Sequence, residues 1–323
     1  MATTLQVERF KSIKYLKIDC HRINLFIEKP NTGKSNILES VGVFSIPFLS
    51  YTNNRKLTNL IRCESPINLF YDNEVGESIV INYGESSFSL EYKMNSFTGK
   101  IVMPQIQPFD FYFNHELNVH YSLVVRSPIK FYKFSVRNTF AAPDADYLLP
   151  PDGANLLQIL MVNKGLRKVV SELFLEYGLR VVLKPQEGRI EVQKEAEDLI
   201  FAYPYSIVSD TLQRLVFYLT AIETNQNSTL IFEEPESHAF PYWTKFLAEK
   251  IALDKSNSYF ISTHNPYLLL SILEKAPQED IAVFITYFED FQTKVRPLKE
   301  TELNKILDLD ASIFFNLDSF LEE

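Results

Sequence analysis

Ile23-Asn24-Leu25-Phe26-Ile27-Glu28-Lys29-Pro30-Asn31-Thr32-Gly33-Lys34-Ser35-Asn36-Ile37-Leu38 is the stretch on which the fold turns. Its first five residues form an apolar run of strand length that ends at turn-forming residues, as a buried strand does. After Ser35, Ile37, Leu38 and Val41 recur at helical spacing, so a helix is predicted from Ser35. A strand that passes through Gly-Lys-Ser into a helix matches the second half of the phosphate-binding pattern Gly, four residues, Gly-Lys-Ser/Thr. Backbone N–H groups and the positive end of the helix would cradle phosphate. Candidate contacts are Asn31, Thr32, Gly33, Lys34, Ser35 and Asn36. Lys34 is expected to neutralise phosphate oxygens, and Ser35 to ligate Mg²⁺. Glu28 stands where the first Gly of the pattern belongs. A carboxylate there repels a triphosphate unless it points away or pairs with Lys29, and it removes the backbone freedom of glycine.

Two downstream segments complete the chemistry. Thr229-Leu230-Ile231-Phe232-Glu233-Glu234-Pro235-Glu236 is an apolar strand that runs into carboxylates. Glu233 is expected to hold Mg²⁺, and Glu234 to orient and polarise an attacking water. Neighbouring side chains on a strand point to opposite faces, so both can serve only if the strand ends there. Pro235 enforces that end. Tyr259-Phe260-Ile261-Ser262-Thr263-His264-Asn265-Pro266 is a second apolar strand, closed by a histidine. In a parallel sheet both strand ends open on one crevice, and His264 could there contact the γ-phosphate.

The rest of the chain bounds the reading. It has 323 residues, 46% of them hydrophobic, enough for a large core in one elaborated domain or two lobes. The formal net charge of −9 argues against wholesale coating of nucleic acid. The 26 Phe and 17 Tyr sit mostly in apolar runs, which favours packing over base stacking. Two cysteines, Cys20 and Cys63, make neither a metal pattern nor a disulfide framework, and fit a reducing cytosol. No signal peptide and no membrane span are expected, so the expected location is cytoplasmic.

Residues 3–29 alternate as strands, and 65–135 read as β-rich. A loop is expected from Ala141 to Gly153, and helices from Asn155 to Tyr177. A β pair is expected at Arg180–Leu183 and Arg189–Val192. Helices follow at Asp210–Ile222 and Tyr242–Leu253, with strands at Leu230–Phe232, Tyr259–Ser262 and Ile281–Ile285. No sustained heptad is present, so no long coiled-coil arm is expected.

Together these segments resemble the ATP-binding-cassette (ABC) ATPase heads of the RecF/SMC/OLD group, in particular stand-alone ATPases of the AAA_15/AAA_21 type found in anti-phage defence. Val7-Glu8-Arg9-Phe10-Lys11-Ser12-Ile13 resembles their opening strand. Asn31 to Glu39 resembles Walker A and its helix. Phe232 to His238 with Pro241 resembles Walker B and the D-loop, and Ser262 to Pro266 the switch-histidine loop. The resemblance implies an α/β P-loop NTPase sheet with an N-terminal β-rich subdomain and a helical lobe. It implies one head over 1–323, with a nucleotide-binding core lobe at 1–140 and 223–323 and a signature lobe at 141–222. The implied signature motif is Val208-Ser209-Asp210-Thr211-Leu212-Gln213-Arg214, whose Ser209 would cap the γ-phosphate held by an opposite subunit. Ser209 at a helix N-cap makes sense by itself. Thr211 replaces a usual glycine, and Glu233 a usual aspartate. Arg62 resembles the arginine that reaches nucleotide or DNA in such heads.

The resemblance further implies ATP and Mg²⁺ as cofactors, Glu234 and His264 as catalytic residues, and slow hydrolysis. The stretch after His264 is too short for the Toprim nuclease domain of OLD-family enzymes. The expectation is therefore a homodimeric or larger switch that acts on a separately encoded effector, a nuclease or toxin, or on double-stranded DNA, without a membrane. A catalytically weak scaffold that holds an effector in an oligomer is the alternative.

Overall fold

The computed structural model describes residues 3–28, 32–52, 54–121, 125–140, 145–309, 314, 317 and 320. Lys29, Pro30, Asn31 and the 141–144 part of the expected loop lie outside the described residues.

The chain opens with strands β1 (Thr3–Phe10), β2 (Ile13–Cys20) and β3 (Ile23–Glu28), then helix α1 (Lys34–Gly42). Strands β4 (Ile79–Tyr83), β5 (Ser86–Lys93), β6 (Ser96–Met103), β7 (Ile106–Phe113), β8 (Val119–Tyr121) and β9 (Ile129–Tyr132) follow. Next come α2 (Leu156–Val162), α3 (Lys164–Leu175), β10 (Leu179–Lys184), β11 (Arg189–Ala196), β12 (Leu199–Pro204) and α4 (Asp210–Thr224). The chain then alternates through β13 (Thr229–Glu233), α5 (Pro241–Leu253), β14 (Ser258–Ser262) and α6 (Pro266–Lys275). It closes with β15 (Ile281–Glu289), β16 (Gln292–Pro297) and α7 (Glu300–Leu309).

The central sheet has the order β16-β15-β3-β14-β13-β9. Its strands are parallel from β15 to β9, and β16 pairs antiparallel at the edge. Parallel strands need crossovers, which cover both faces. Every residue of β3 is accordingly buried. The two-residue period of the strands sorts their side chains between two cores. Leu230, Phe232, Tyr259 and Ile261 join the core that includes α2 to α6. Ile231, Phe260, Phe26 and Phe284 join the core shared with α1 and the N-terminal sheet. That second sheet is antiparallel, in the order β2-β1-β4-β5-β6-β7-β8.

Residues 145–224 supply α2, α3 and α4, and also a three-stranded antiparallel sheet, β10-β11-β12. The β pair expected there is β10 and β11. Patterning alone does not anticipate β12, because all six of its residues are exposed and no face alternates. It misses α6 for the opposite reason: Leu268, Leu269, Leu270, Ile272 and Leu273 are all buried, so no amphipathic period appears. The β-rich reading of 65–135 holds from Ile79 onward, while Pro66–Leu69 and Tyr71–Asn73 are short 3-10 turns. Among the described residues no helix is long and apolar enough to cross a membrane. Cys20 and Cys63 are both free thiols.

Phe260 joins the layers. It is fully buried, stacks on Phe26 at a centroid distance of 6.0 Å, and meets the Tyr83 ring edge-on at 5.4 Å. Phe260→Ala is expected to cost about 3–5 kcal/mol. Urea denaturation should show it as a lower midpoint with an unchanged slope.

Candidate nucleotide-binding site

The register of the central sheet brings the distant segments together. Phe26 pairs with Ser262, and Ser262 with Glu233, so the ends of β3, β14 and β13 lie in one row. Parallel strands place these ends on the same edge of the sheet, where open α/β sheets carry their ligand sites.

Gly33 begins α1 in the left-handed region, with φ +97°. A Cβ there would stand 2.0 Å from Thr293 Oγ1. The Thr293 hydroxyl donates to the Thr32 carbonyl at 3.0 Å and shares a hydrogen bond with Ser12 Oγ at 2.6 Å. Asn36 Nδ2 also donates to Ser12 Oγ, at 2.6 Å. The loop is therefore clasped to the β1–β2 turn and to β16. The expected contact residue Asn36 serves this clasp.

Lys34 is buried, at 1% exposure. Its ammonium donates to the Thr263 carbonyl at 3.3 Å and lies 3.9 Å from both Glu28 Oε1 and Glu234 Oε1. Burial lowers its pKa, and Glu28, Glu234, Glu236 and Glu233 oppose that drop. Ser35 Oγ donates to Glu233 Oε1 at 2.6 Å. Burial alone would raise the Glu233 carboxyl. The Ser35 hydroxyl and the Arg62 and Lys133 charges bring it below the usual range. Arg62 forms an ion pair with Glu233, and its own amide donates to Glu39 Oε1 at 2.9 Å. Lys11 pairs with Glu39 and also donates to the Arg62 carbonyl at 2.6 Å.

Glu234 lies just past the end of β13 with φ +45°. This left-handed turn sets its side chain apart from the strand alternation, as the Glu-Glu-Pro reading requires. The strain of such a residue is about 1–3 kcal/mol. Its amide is anchored to the Ser262 carbonyl at 3.0 Å. His264 Nε2 lies 3.4 Å from Glu234 Oε1 and 3.9 Å from Glu28 Oε1. Burial and the nearby Lys34 charge lower the imidazole pKa, against the pull of Glu234 and Glu28. The shift favours the neutral ring, whose one N–H can donate to a carboxylate or a phosphate oxygen.

Glu28 departs from expectation. It does not point away from the loop. Its Oε2 accepts from the Lys34 amide at 2.9 Å and from the Thr32 hydroxyl at 2.5 Å.

Ser209 is the N-cap residue of α4, but its hydroxyl makes no cap hydrogen bond. Asp210 pairs instead with Arg214, at 2.7 Å. Among the described residues no hydrogen bond or ion pair joins Ser209 to the Lys34 cluster. Ser209 is exposed, and Thr211 beside it donates to the His238 carbonyl at 2.7 Å, tying α4 to the turn after β13.

Three contributors carried no sequence signal for their place here. Lys133 follows β9, a strand distant in sequence. Thr263 sits inside the histidine segment. Glu236 is a third carboxylate in a motif already holding two. It is 5% exposed, its Oε1 accepts from the Thr263 hydroxyl, and its Oε2 has no partner among the described residues.

Solved structures report on the fold. A Smc head bound to the C-terminal winged-helix domain of ScpA aligns with a TM-score of 0.53 and 13% identity, over 93% of this chain and 98% of that one. A Pyrococcus furiosus Smc head with an extended coiled coil, bound to the C-terminal domain of ScpA, aligns at 0.52 and 11%, over 94% and 98%. The chain has the ABC-ATPase fold of SMC head domains. No protein-family profile matches the sequence. No curated protein matches it either. In this SMC-head fold, the chain's own α/β core places Lys34, Ser35, Glu233, Glu234 and His264 on one sheet edge.

The buried Glu236 gives a pH test. Burial pushes its carboxyl up to about 7, with the Thr263 hydroxyl pulling the other way. Its folded value lies above its unfolded one. The folded state thus binds the extra proton, and stability falls as pH rises between the two. The contribution is complete below about pH 4 and lost above about pH 7, and amounts to about 3 kcal/mol. Urea melts at pH 5 and pH 8 should show this slope in the parent, and Glu236→Gln should flatten it.

Proposed function

We propose that this chain is an ATP-binding and slowly hydrolysing ATPase head. The convergence of Lys34, Ser35, Glu233, Glu234 and His264 carries the reading. The hydroxyl of Ser35 and the carboxylate of Glu233, 2.6 Å apart, are hard oxygen donors that suit Mg²⁺. Such an ion usually takes one or two protein carboxylates and completes its shell with water and phosphate. Among the described residues no cluster of three or more His, Cys, Asp or Glu side chains surrounds a metal position. Bound there, Mg²⁺ would supply positive charge to phosphate oxygens.

The remaining roles belong to the side chains. Lys34 neutralises phosphate charge from a buried position. The Glu234 carboxylate accepts a proton from a water aimed at the terminal phosphate. His264 lies within 3.4 Å of Glu234 through Nε2, and its single N–H serves either that carboxylate or, once a ligand is bound, a phosphate oxygen. Arg62 neutralises Glu233 and can turn to the ligand. Thr32, Gly33 and Asn36 shape the loop, and Asn31 belongs to the same segment.

In this reading two copies sandwich ATP, the exposed Ser209 of one closing on the loop of the other. The division into a core lobe at 1–140 and 223–323 and a signature lobe at 141–222 is part of the proposal. So is the role as a switch for a separate effector, or for double-stranded DNA, in a defence or DNA-maintenance module. Two neighbours of the same fold were captured with ScpA domains, which supports a head that works through a bound protein. A second reading has one observation in its favour. Glu28 in the loop fits a catalytically weak scaffold that holds a partner in an oligomer.

ATP turnover with Mg²⁺, with and without double-stranded DNA, separates the two. Glu234→Gln is expected to lower turnover about a hundredfold or more and to trap an ATP-bound dimer visible by light scattering. Absence of turnover in the parent, with the assembly unchanged by ATP, supports the scaffold.

A further inference from the structure

We infer that the Glu28 carboxylate and a phosphate group compete for one set of donors, so that this residue sets the affinity of the loop. The inference rests on the nucleotide reading above. The donors at issue are the Lys34 amide at 2.9 Å, the Thr32 hydroxyl at 2.5 Å and the Lys34 ammonium at 3.9 Å. An amide at a helix N-terminus, a loop hydroxyl and a lysine are what a phosphate takes from such a loop. Glu28 engages all three from within the chain. Nε2 of His264 faces the same carboxylate at 3.9 Å.

Two further observations make this a competition rather than a peripheral contact. Glu28 is 8% exposed, so its carboxylate meets these donors in a buried setting, with little water to screen it from an incoming phosphate. Glu234 shares Lys34 with it at 3.9 Å, and Glu233 and Glu236 add their charge to the same lysine. Phosphate brought into that field without release of Glu28 meets like charge at short range. Release is a matter of the side chain alone. Glu28 pairs with Thr286 in the β3–β15 register, which fixes its backbone. The Thr286 hydroxyl is buried without a partner among the described residues, and offers a donor to a carboxylate that turns aside.

The test is equilibrium binding of a Mg²⁺-complexed, non-hydrolysable ATP analogue to the full-length chain by calorimetry. Parent, Glu28→Gly, Glu28→Gln and Lys34→Ala are compared, with circular dichroism to confirm folding. Glu28→Gln keeps the side-chain volume should the glycine variant fold poorly. Both Glu28 variants should bind at least about tenfold more tightly than the parent, a gain of about 1.4 kcal/mol. They should also show a larger ligand-induced rise in melting temperature. Competition is overturned if the Glu28 variants bind no better than the parent while Lys34→Ala loses binding, and the nucleotide reading then stands. If neither the parent nor any variant binds, the nucleotide reading itself fails and the competition with it.

Discussion

Backbone pairing of β14 between β3 and β13 is the constraint on which everything else in this molecule depends. It aligns Phe26, Ser262 and Glu233 in one row. The residues that follow each strand, from three distant parts of the chain, are thereby delivered to a common edge. The sheet sets this row with hydrogen bonds that are buried on both faces and packed between two cores. A register slip of one residue would exchange the faces and scatter the carboxylates.

The price of gathering this chemistry is a crowded field. One buried lysine faces Glu28, Glu234, Glu236 and Glu233. Each carboxylate is handled differently. Glu233 takes the Ser35 hydroxyl and the Arg62 charge. Glu28 takes an amide and a hydroxyl. Glu236 is too deep to be charged cheaply and leans toward its neutral form. Glu234 retains solvent contact and the company of His264. A site with several carboxylates in distinct surroundings can divide the work of holding charge and moving protons among them.

The motifs were legible because each consists of a strand, a stop and a chemical group in immediate succession. Ile23–Ile27, Leu230–Phe232 and Tyr259–Ser262 announce buried strands by continuous apolar runs, and the fold follows from their parallel stacking. Glu233 and Glu234 could be foreseen as a pair because Pro235 demands a turn, and the left-handed Glu234 supplies it. What could not be read is long-range. Lys133 and Glu39 enter the site's electrostatics through packing, which no local pattern records. The direction taken by Glu28 was likewise hidden. A carboxylate at position 28 reads as an obstacle to phosphate until the amide of Lys34 is seen to be its partner.

Gly33 carries a lesson of a different kind. The absence of a side chain is demanded by Thr293, whose hydroxyl occupies the space a Cβ would need, and the left-handed backbone independently disfavours any replacement. That demand comes from the chain's own architecture and persists whether or not any phosphate is ever bound. A chain of this fold is obliged to keep the glycine for as long as it keeps the threonine, whatever its loop does or does not bind. Retention of the familiar letters of this loop thus records the history of a fold more securely than it records a living activity.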